Sequence, residues 1–473
     1  MLKIAMIPID NRPVCYCLPA QICSFAQDIE LVLPPRELLG GLTTYADTDT
    51  LLEWIAQLEN TDILVIALDT IAYGGLVSSR RTTESTELIY NRLLNFKNII
   101  KTKKIKTYAC SSIMRISNNN INEEEKEYWS LWGKKIFDYS YNLHKSAKIQ
   151  SYDANAKYSC IRQTIPTEVL EDYFSTRTRN FEINKMYLEW QKEGIFDYLV
   201  FSKDDCAEYG INVSESEQLQ EIIDKGNLQS IIKTGADEIP LSLLARAVSD
   251  SFEKKIKIFT KYTRPDDIHL ISKYEDISVF ESVKGQVELS GSVLCENEKD
   301  ADIILLVNNF EKEQGELVMN VPTKPFGGSL DLPQNPYLIA DIAYANGSDN
   351  AFVKKLFKEK IDLNLFLGYA GWNTTANTLG SAICAGLVKY LSKKTDVEEF
   401  KKQQFVRFAD DWAYQANCRS VLKLETNTPN VNKVTALMEP YIAQIMEKID
   451  IHGVKSEYSF PWNRFFEIEI VLD

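Results

Sequence analysis

Short runs of aliphatic and β-branched residues, bounded by polar or turn-forming residues, recur along the first part of the chain. They predict strands near 3–9, 30–34, 62–69, 105–112, 197–203 and 230–235. A second series follows at about 256–262, 302–308, 338–344 and 364–369. Between the runs, apolar positions fall at helical spacing. Thr48 to Leu58, Glu87 to Ile100 and Leu241 to Val248 each read as an amphipathic helix. Strands alternating with helices, joined by right-handed crossovers, predict parallel sheets of the α/β class.

Three stretches break this rhythm. Residues 118–195 carry long helical patterns and no strand, which predicts a helical insertion bordering a cleft. Its start, Asn118 to Asn122 followed by Glu123, Glu124 and Glu125, reads as a loop capping a helix with an acidic first turn. Past Gly380 the chain turns helical, including Phe405 to Tyr414 and Val434 to Ile449, and closes on a strand-like Pro461 to Ile470. The expected organisation is a first α/β lobe at 1–240, a second at 241–385 and a helical C-terminal region at 386–473 ending in a strand. The expected architecture is two lobes of largely parallel sheet around a cleft, with a distorted (β/α) barrel as the alternative. No internal repeat or low-complexity linker separates the lobes, so a tight interface between them is expected.

The chemistry gathers where strands end. Asp10-Asn11-Arg12-Pro13 follows the first strand, and Asp69 with Tyr73, Gly74, Gly75 and Arg80 follows the third. Lys203-Asp204-Asp205 and Asp237-Glu238 close the fifth and sixth, and Trp372, Asn373 and Asn377 follow the last strand of the second series. In parallel α/β folds the carboxyl ends of the strands face one side, where ligands bind. Asp10, Asp69, Asp204, Asp205 and Glu238 are therefore expected to converge as candidate catalytic carboxylates. Paired carboxylates split into one raised and one ordinary pKa, supplying an acid and a base. Arg12, Arg80, Arg115 and Lys203 are candidates to grip substrate, as are Asn11, Asp237, Asp341 and Asn346. Trp372, Tyr73, Asn373 and Asn377 offer aromatic faces beside amides, the equipment for a sugar. Each motif also has a plain structural reading: Asp237 or Glu238 as a helix cap, Arg12 as the partner of Asp10.

Composition narrows the classes. A net charge of −14 over 473 residues argues against nucleic acid, whose phosphates call for a basic face. No run approaches the ~20 apolar residues of a membrane span, and the N-terminus lacks a signal-peptide pattern. The nine cysteines are scattered and odd in number, which suits free thiols in the cytoplasm. The three histidines, His144, His269 and His452, sit in no motif, so a histidine-based zinc site or a serine–histidine–aspartate triad lacks material. Neither a dinucleotide-binding glycine motif nor a P-loop is present.

Several of these segments resemble the DUF4127 family of bacterial proteins of unknown function. They are Pro8 to Pro13, Pro34 to Gly40, Leu68-Asp69 with Tyr73 to Leu76 and Ser79-Arg80, and Asp204-Asp205 with Tyr209-Gly210. The likeness continues through Gly235 to Glu238, Tyr344 to Gly347, Tyr369 to Thr374 and Pro461 to Arg464. It spans nearly the whole chain and implies a shared site without supplying an activity. The resemblance also implies Asp-Asp-Arg-Pro in relatives where this chain has Asn11, which weakens any role needing a carboxylate there.

The function expected from the residues is a carbohydrate-directed hydrolase, most simply a glycosidase, with Asp205 and Glu238 as acid and base or nucleophile. Asp10 and Asp69 would hold hydroxyls, and no cofactor is required. One alternative is a hydrolase or phosphoryl-transfer enzyme in which the same carboxylates hold Mg²⁺ or Mn²⁺. Another is a non-catalytic two-lobed protein that binds a small polar ligand.

Overall fold

The computed structural model describes residues 1–204 and 206–473. Six strands form the first sheet: β1 (Leu2–Ile7), β2 (Ile29–Val32), β3 (Ile63–Ala67), β4 (Lys106–Ile113), β5 (Tyr198–Lys203) and β6 (Ser230–Thr234). They lie in the order β2-β1-β3-β4-β5-β6, all parallel. The second lobe contributes β7 (Lys257–Tyr262), β8 (Val293–Leu294), β9 (Ile303–Asn308), β10 (Gly315–Glu316), β11 (Tyr337–Asp341), β12 (Tyr344–Ala345) and β13 (Phe366–Ala370). Five of these make a parallel sheet ordered β13-β11-β9-β7-β8, and β10 pairs with β12 apart from it.

Both sheets are open, so the barrel alternative gives way to two doubly wound lobes. They share one winding pattern: the second strand lies outside the first, and the chain then crosses back to lay the rest on the other side. Each order therefore reverses beside its first strand, at β1/β3 and at β7/β9, and such reversals leave a crevice outside the carboxyl ends. Asp10 to Arg12 leaves β1 and Asp69 leaves β3, so the polar strand ends of the first lobe lie at its crevice.

Burial explains why these runs are strands. Every residue of β3, β9, β11 and β13 is buried, as expected where helices cover both faces of a parallel sheet. One apolar core runs without a break from Ile4, Val65 and Val200 in the first sheet to Leu305 and Ile339 in the second. Helix Ile239–Ser251, which packs on β3 and β4, lies against helix Thr375–Leu391 of the second lobe and joins the two. The opposite face of the first sheet, with Leu64, Ile66 and Phe201, has its own core.

The segment after β4 holds helices Trp129–Ile149, Tyr152–Arg162 and Thr167–Lys192 around Trp129, Ile136 and Tyr173. Glu123 to Glu125 lie outside these helices, which begin at Trp129. Their side chains meet arginines instead of a helix end. No helix among the described residues is long and apolar enough to cross a membrane.

Two C-terminal features differ from the sequence pattern. The helix Val397–Arg407 continues into a π-helical segment, Phe408–Cys418. The final strand is β15 (Glu469–Leu472), antiparallel to β14 (Ser456–Ser459), and does not begin at Pro461. Residues 461–468 are irregular, and Trp462, Arg464 and Glu467 reach out to Asn11, Glu124 and Arg12.

Candidate functional site

Tight turns set the first carboxylates. The backbone N–H of Asn11 donates to the Gly40 carbonyl at 3.0 Å. A side chain at Gly40 would place its Cβ 2.1 Å from the Gly74 carbonyl oxygen, so the approach of these two turns excludes any other residue at Gly40. After β6, Gly235 adopts φ +128°, and a Cβ there would collide with Glu238. That turn aims the neighbours Asp237 and Glu238 in different directions.

Asp237 points to Arg12. The guanidinium bridges two carboxylates, donating from Nη2 to Asp10 Oδ2 at 2.6 Å and to Asp237 Oδ1 at 2.5 Å. Nη1 donates to Asp237 Oδ2 at 3.0 Å, and Nε to Asp10 Oδ2 at 2.9 Å. All three residues are buried. Burial pushes the Asp237 carboxyl up to about 6; Arg12 opposes the rise, while the charges of Asp10 and Asp204 add to it. Asp237 thus takes up a proton as pH falls through about 6, nearer to neutral than an ordinary aspartate does.

From this pair a network extends across the strand ends. Arg80 donates to Asp204 at 3.2 Å and to Glu124 and Glu125 at 3.4 Å. Arg115 meets the same acids: Glu124 at 2.9 Å, Glu125 at 3.2 Å and Asp204 at 3.3 Å. Arg464 reaches Glu124 at 2.8 Å and pairs with Glu467, which lies 3.9 Å from Arg12. Burial would raise the Glu124 carboxyl, but Arg115, Arg80, Arg464 and Arg12 outweigh it and hold the group well below the ordinary range. Trp462 donates to the Asn11 side chain at 2.7 Å, and its ring packs against the guanidinium groups of both Arg12 and Arg464. On the second-lobe side, Asn373 donates to Asp237 at 3.4 Å, and its carbonyl accepts from the Asn346 N–H at 2.9 Å.

Of the residues singled out from sequence, Asp10, Asn11, Arg12, Arg80, Arg115, Asp204, Asp237, Asn346 and Asn373 belong to this connected set. Asp69 borders it behind Arg80: its carboxyl accepts from the Ser112 N–H at 2.9 Å, and burial raises it to about 7. Asp205 lies outside the described residues. The others face elsewhere. Tyr73 is buried with its ring against Arg179, Lys203 pairs with Asp276 at 2.6 Å, and Asn377 is buried in the first turn of its helix. Asp341 accepts from Asn308 at 2.8 Å and from the Tyr369 hydroxyl at 3.2 Å, and burial raises it to about 7. Trp372 is buried against Phe466 and offers no open platform.

Glu238 does not converge with Asp10. It is fully buried between helices, accepting from Gln286 at 3.0 Å and from the Ala236 N–H at 3.1 Å. Gly380 packs so closely on it that a Cβ would lie 2.6 Å from Glu238 Cγ. Burial raises this carboxyl to about 8, with the charges of Asp237 and Glu275 adding to the rise. The folded value exceeds the unfolded one of about 4.3, so its contribution to stability is full below that value and is lost as pH rises through about 8. Glu238→Gln removes that dependence. Calorimetry from about pH 5 to about pH 8 should show a wild-type Tm that falls relative to the variant's as pH rises, the difference levelling off above about 8; parallel curves across that window would show that Glu238 titrates normally.

The residues that sequence reasoning missed are Glu124, Glu125, Arg464 and Glu467. Their signal was a run of three acids beside an asparagine-rich loop and an Arg464 written into a strand.

One cluster has donor atoms at metal-ligand spacing. Single ligand atoms of Asp10, Cys15 and Asp237 lie within 4.8 Å of one another. The Arg12 guanidinium already stands against both carboxylates at this point, and burial pushes the Cys15 thiol well up, away from the thiolate a metal takes. The donor set therefore fits arginine as its cation better than Mg²⁺ or Mn²⁺, which prefer oxygen ligands alone.

The family model described as protein of unknown function (DUF4127) matches residues 4–471. The chain belongs to that family. No curated protein and no solved structure matches it. Membership in DUF4127 thus covers both lobes and the C-terminal segment, and the case for an activity rests on the site itself.

Proposed function

We propose that this protein is a hydrolase acting on a carbohydrate, with Asp237 and Asp10 as its working carboxyl pair. The observation that carries the reading is that pair: two buried carboxylates with ligand atoms within 4.8 Å, clamped by one arginine, of which Asp237 is raised to about 6. The glycosidase expected from sequence is kept, while the roles given to Asp205 and Glu238 pass to Asp10 and Asp237. Glu238, packed between Gln286 and Gly380, takes no part in this reading.

In this reading Asp237 protonates the departing glycosidic oxygen as Asp10 attacks the anomeric carbon, so the C–O bond to the leaving group breaks as an ester bond to Asp10 forms. A water then adds to the anomeric carbon, giving its proton to Asp237 and releasing Asp10. Carboxylates with oxygens within 4.8 Å of each other fall on the close side suited to this two-step route, whereas a single inverting displacement needs carboxyl groups ~6.5–9.5 Å apart. Arg12 Nη2 bridges the two carboxylates at 2.6 and 2.5 Å, so the scissile bond reaches them only once that guanidinium swings aside, a movement this reading requires. Trp462 packs on Arg12 and Arg464 ties the Glu123–Glu125 loop to it, and substrate entry requires Trp462, Arg464 and that loop to move aside while Phe466 stays against Trp372.

The test is a panel of chromogenic glycosides assayed with and without EDTA. The expected result is turnover of at least one member that EDTA leaves intact. Silence on every glycoside, with phosphate-ester hydrolysis that EDTA abolishes, would replace this reading with the metal-dependent one.

A further inference from the structure

Behind Asn373, the side of the site formed by the second lobe holds polar atoms with no partner among the described residues. They are Asn346 Oδ1, Gln415 Oε1, Arg419 Nη1 and Trp372 Nε1. Their residues are only 3 to 6 % exposed. Trp372, Gln415 and Arg419 border Phe466, and Arg419 ties Asn346 to them. The Trp372 ring lies 5.5 Å from the Phe466 ring, and the Arg419 guanidinium lies 5.8 Å from its centre. Gln415 Nε2 donates to the Phe466 carbonyl at 3.2 Å, and Arg419 Nη2 to the Asn346 carbonyl at 3.1 Å.

The orientation of each amide is fixed by what its nitrogen meets. Asn346 Nδ2 donates to Glu316 at 2.6 Å, and Gln415 Nε2 donates to Asp410 at 2.9 Å. Carboxylates facing each nitrogen only accept, so turning either amide over would set oxygen against oxygen. The two amide oxygens must therefore face away from those partners. Gln415 sits in the π-helical segment Phe408–Cys418, and the N–H of Arg419, just beyond it, bonds back to Tyr414. π-helical turns are rare and concentrate at functional sites.

The set holds two unpartnered acceptors and two unpartnered donors. An anion would satisfy the N–H groups and repel the carbonyls, and a cation would do the reverse. A hydroxyl both donates and accepts, so a ligand bearing several hydroxyls matches all four. We infer that Asn346, Trp372, Gln415 and Arg419 form a hydroxyl-recognition subsite that takes a sugar ring or polyol, with Phe466 as its apolar wall. Asn373 links this subsite to Asp237, so it names the substrate class of the cleft and in that respect rests on the function proposed above.

Isothermal titration of the intact protein with glucose, sorbitol and myo-inositol, and with inorganic phosphate as the control, tests the subsite. Saturable binding of at least one polyol and none of phosphate is expected. Trp372→Phe removes an N–H that has no partner in the fold and also shortens a buried ring, so it should lower Tm somewhat and, titrated well below that Tm, weaken the binding about tenfold. Arg419→Lys, which keeps the charge and loses the fork, should weaken it similarly. No saturable polyol binding, phosphate binding in its place, or polyol binding that neither variant alters would overturn the inference. Polyol binding in a protein that hydrolyses no glycoside would leave the subsite standing and remove the hydrolase. Glycoside turnover that Trp372→Phe and Arg419→Lys leave untouched would do the opposite.

Discussion

Asp237→Asn should lower kcat/KM on the hydrolysed glycoside by about a thousandfold, the middle of the range for removing a positioned proton donor. Asparagine keeps the volume of the side chain and one oxygen for Arg12 but turns its NH2 against the other guanidinium N–H, so a lower Tm is expected too, and kcat/KM is read well below it on folded protein. Asp237 must carry its proton to act as the acid, and burial raises it to about 6. Wild-type kcat/KM should therefore be highest below that value and fall as pH rises through it. In Asp237→Asn the residual rate should have no limb there, which a pH profile of both proteins would read directly. A variant that retains most of its activity would remove Asp237 from the chemistry.

Arg12→Met should have the largest effect on stability. The methionine leaves Asp10 and Asp237 buried without a counter-charge, and breaking a buried pair in this way costs about 3–5 kcal/mol. The deficit should shrink under acid conditions, because Asp237 is neutral below about 6 and then needs no partner. Thermal unfolding at about pH 5 and about pH 8 measures this. Combining Arg12→Met with Asp10→Asn and Asp237→Asn should restore part of the lost Tm, since the stranded charges are then gone. Equal losses at both pH values would mean that Arg12 acts through packing on Trp462 and not through charge.

Much of the fold could be read from the chain because buried parallel strands write themselves as short aliphatic runs. β3, β9 and β11 match their predicted spans within a few residues for that reason. Strands of two residues, such as β10 and β12, leave no periodic trace. The π-helical segment kept a helical pattern and hid its altered hydrogen bonding. Residues 461–468 looked like a strand because Trp462, Phe465, Phe466 and Ile468 supply the hydrophobicity of one. In the structure Arg464 and Glu467 pin that stretch to Arg12 and Glu124 instead.

The site was half legible for a related reason. Carboxylates at strand ends announce a crevice, and Asp10, Asp204 and Asp237 do share one network. Sequence could not decide between Asp237 and its neighbour Glu238. Their opposite fates depend on the Gly235 turn and on Gly380, which approaches from the other lobe. Glu124 and Arg464 were hidden because their partners are remote in the chain: Arg464 reaches Glu124 across 340 positions.

Following the hydrolysis of one glycoside by proton NMR tests the central claim most directly, because a single spectrum series reports both turnover and the anomer first released. Asp10 and Asp237 at their present spacing predict a first product with the configuration of the substrate. An inverted first product would show that the two carboxylates do not work as this pair, and no product at all from wild type, on any glycoside of the panel, would contradict the hydrolase itself.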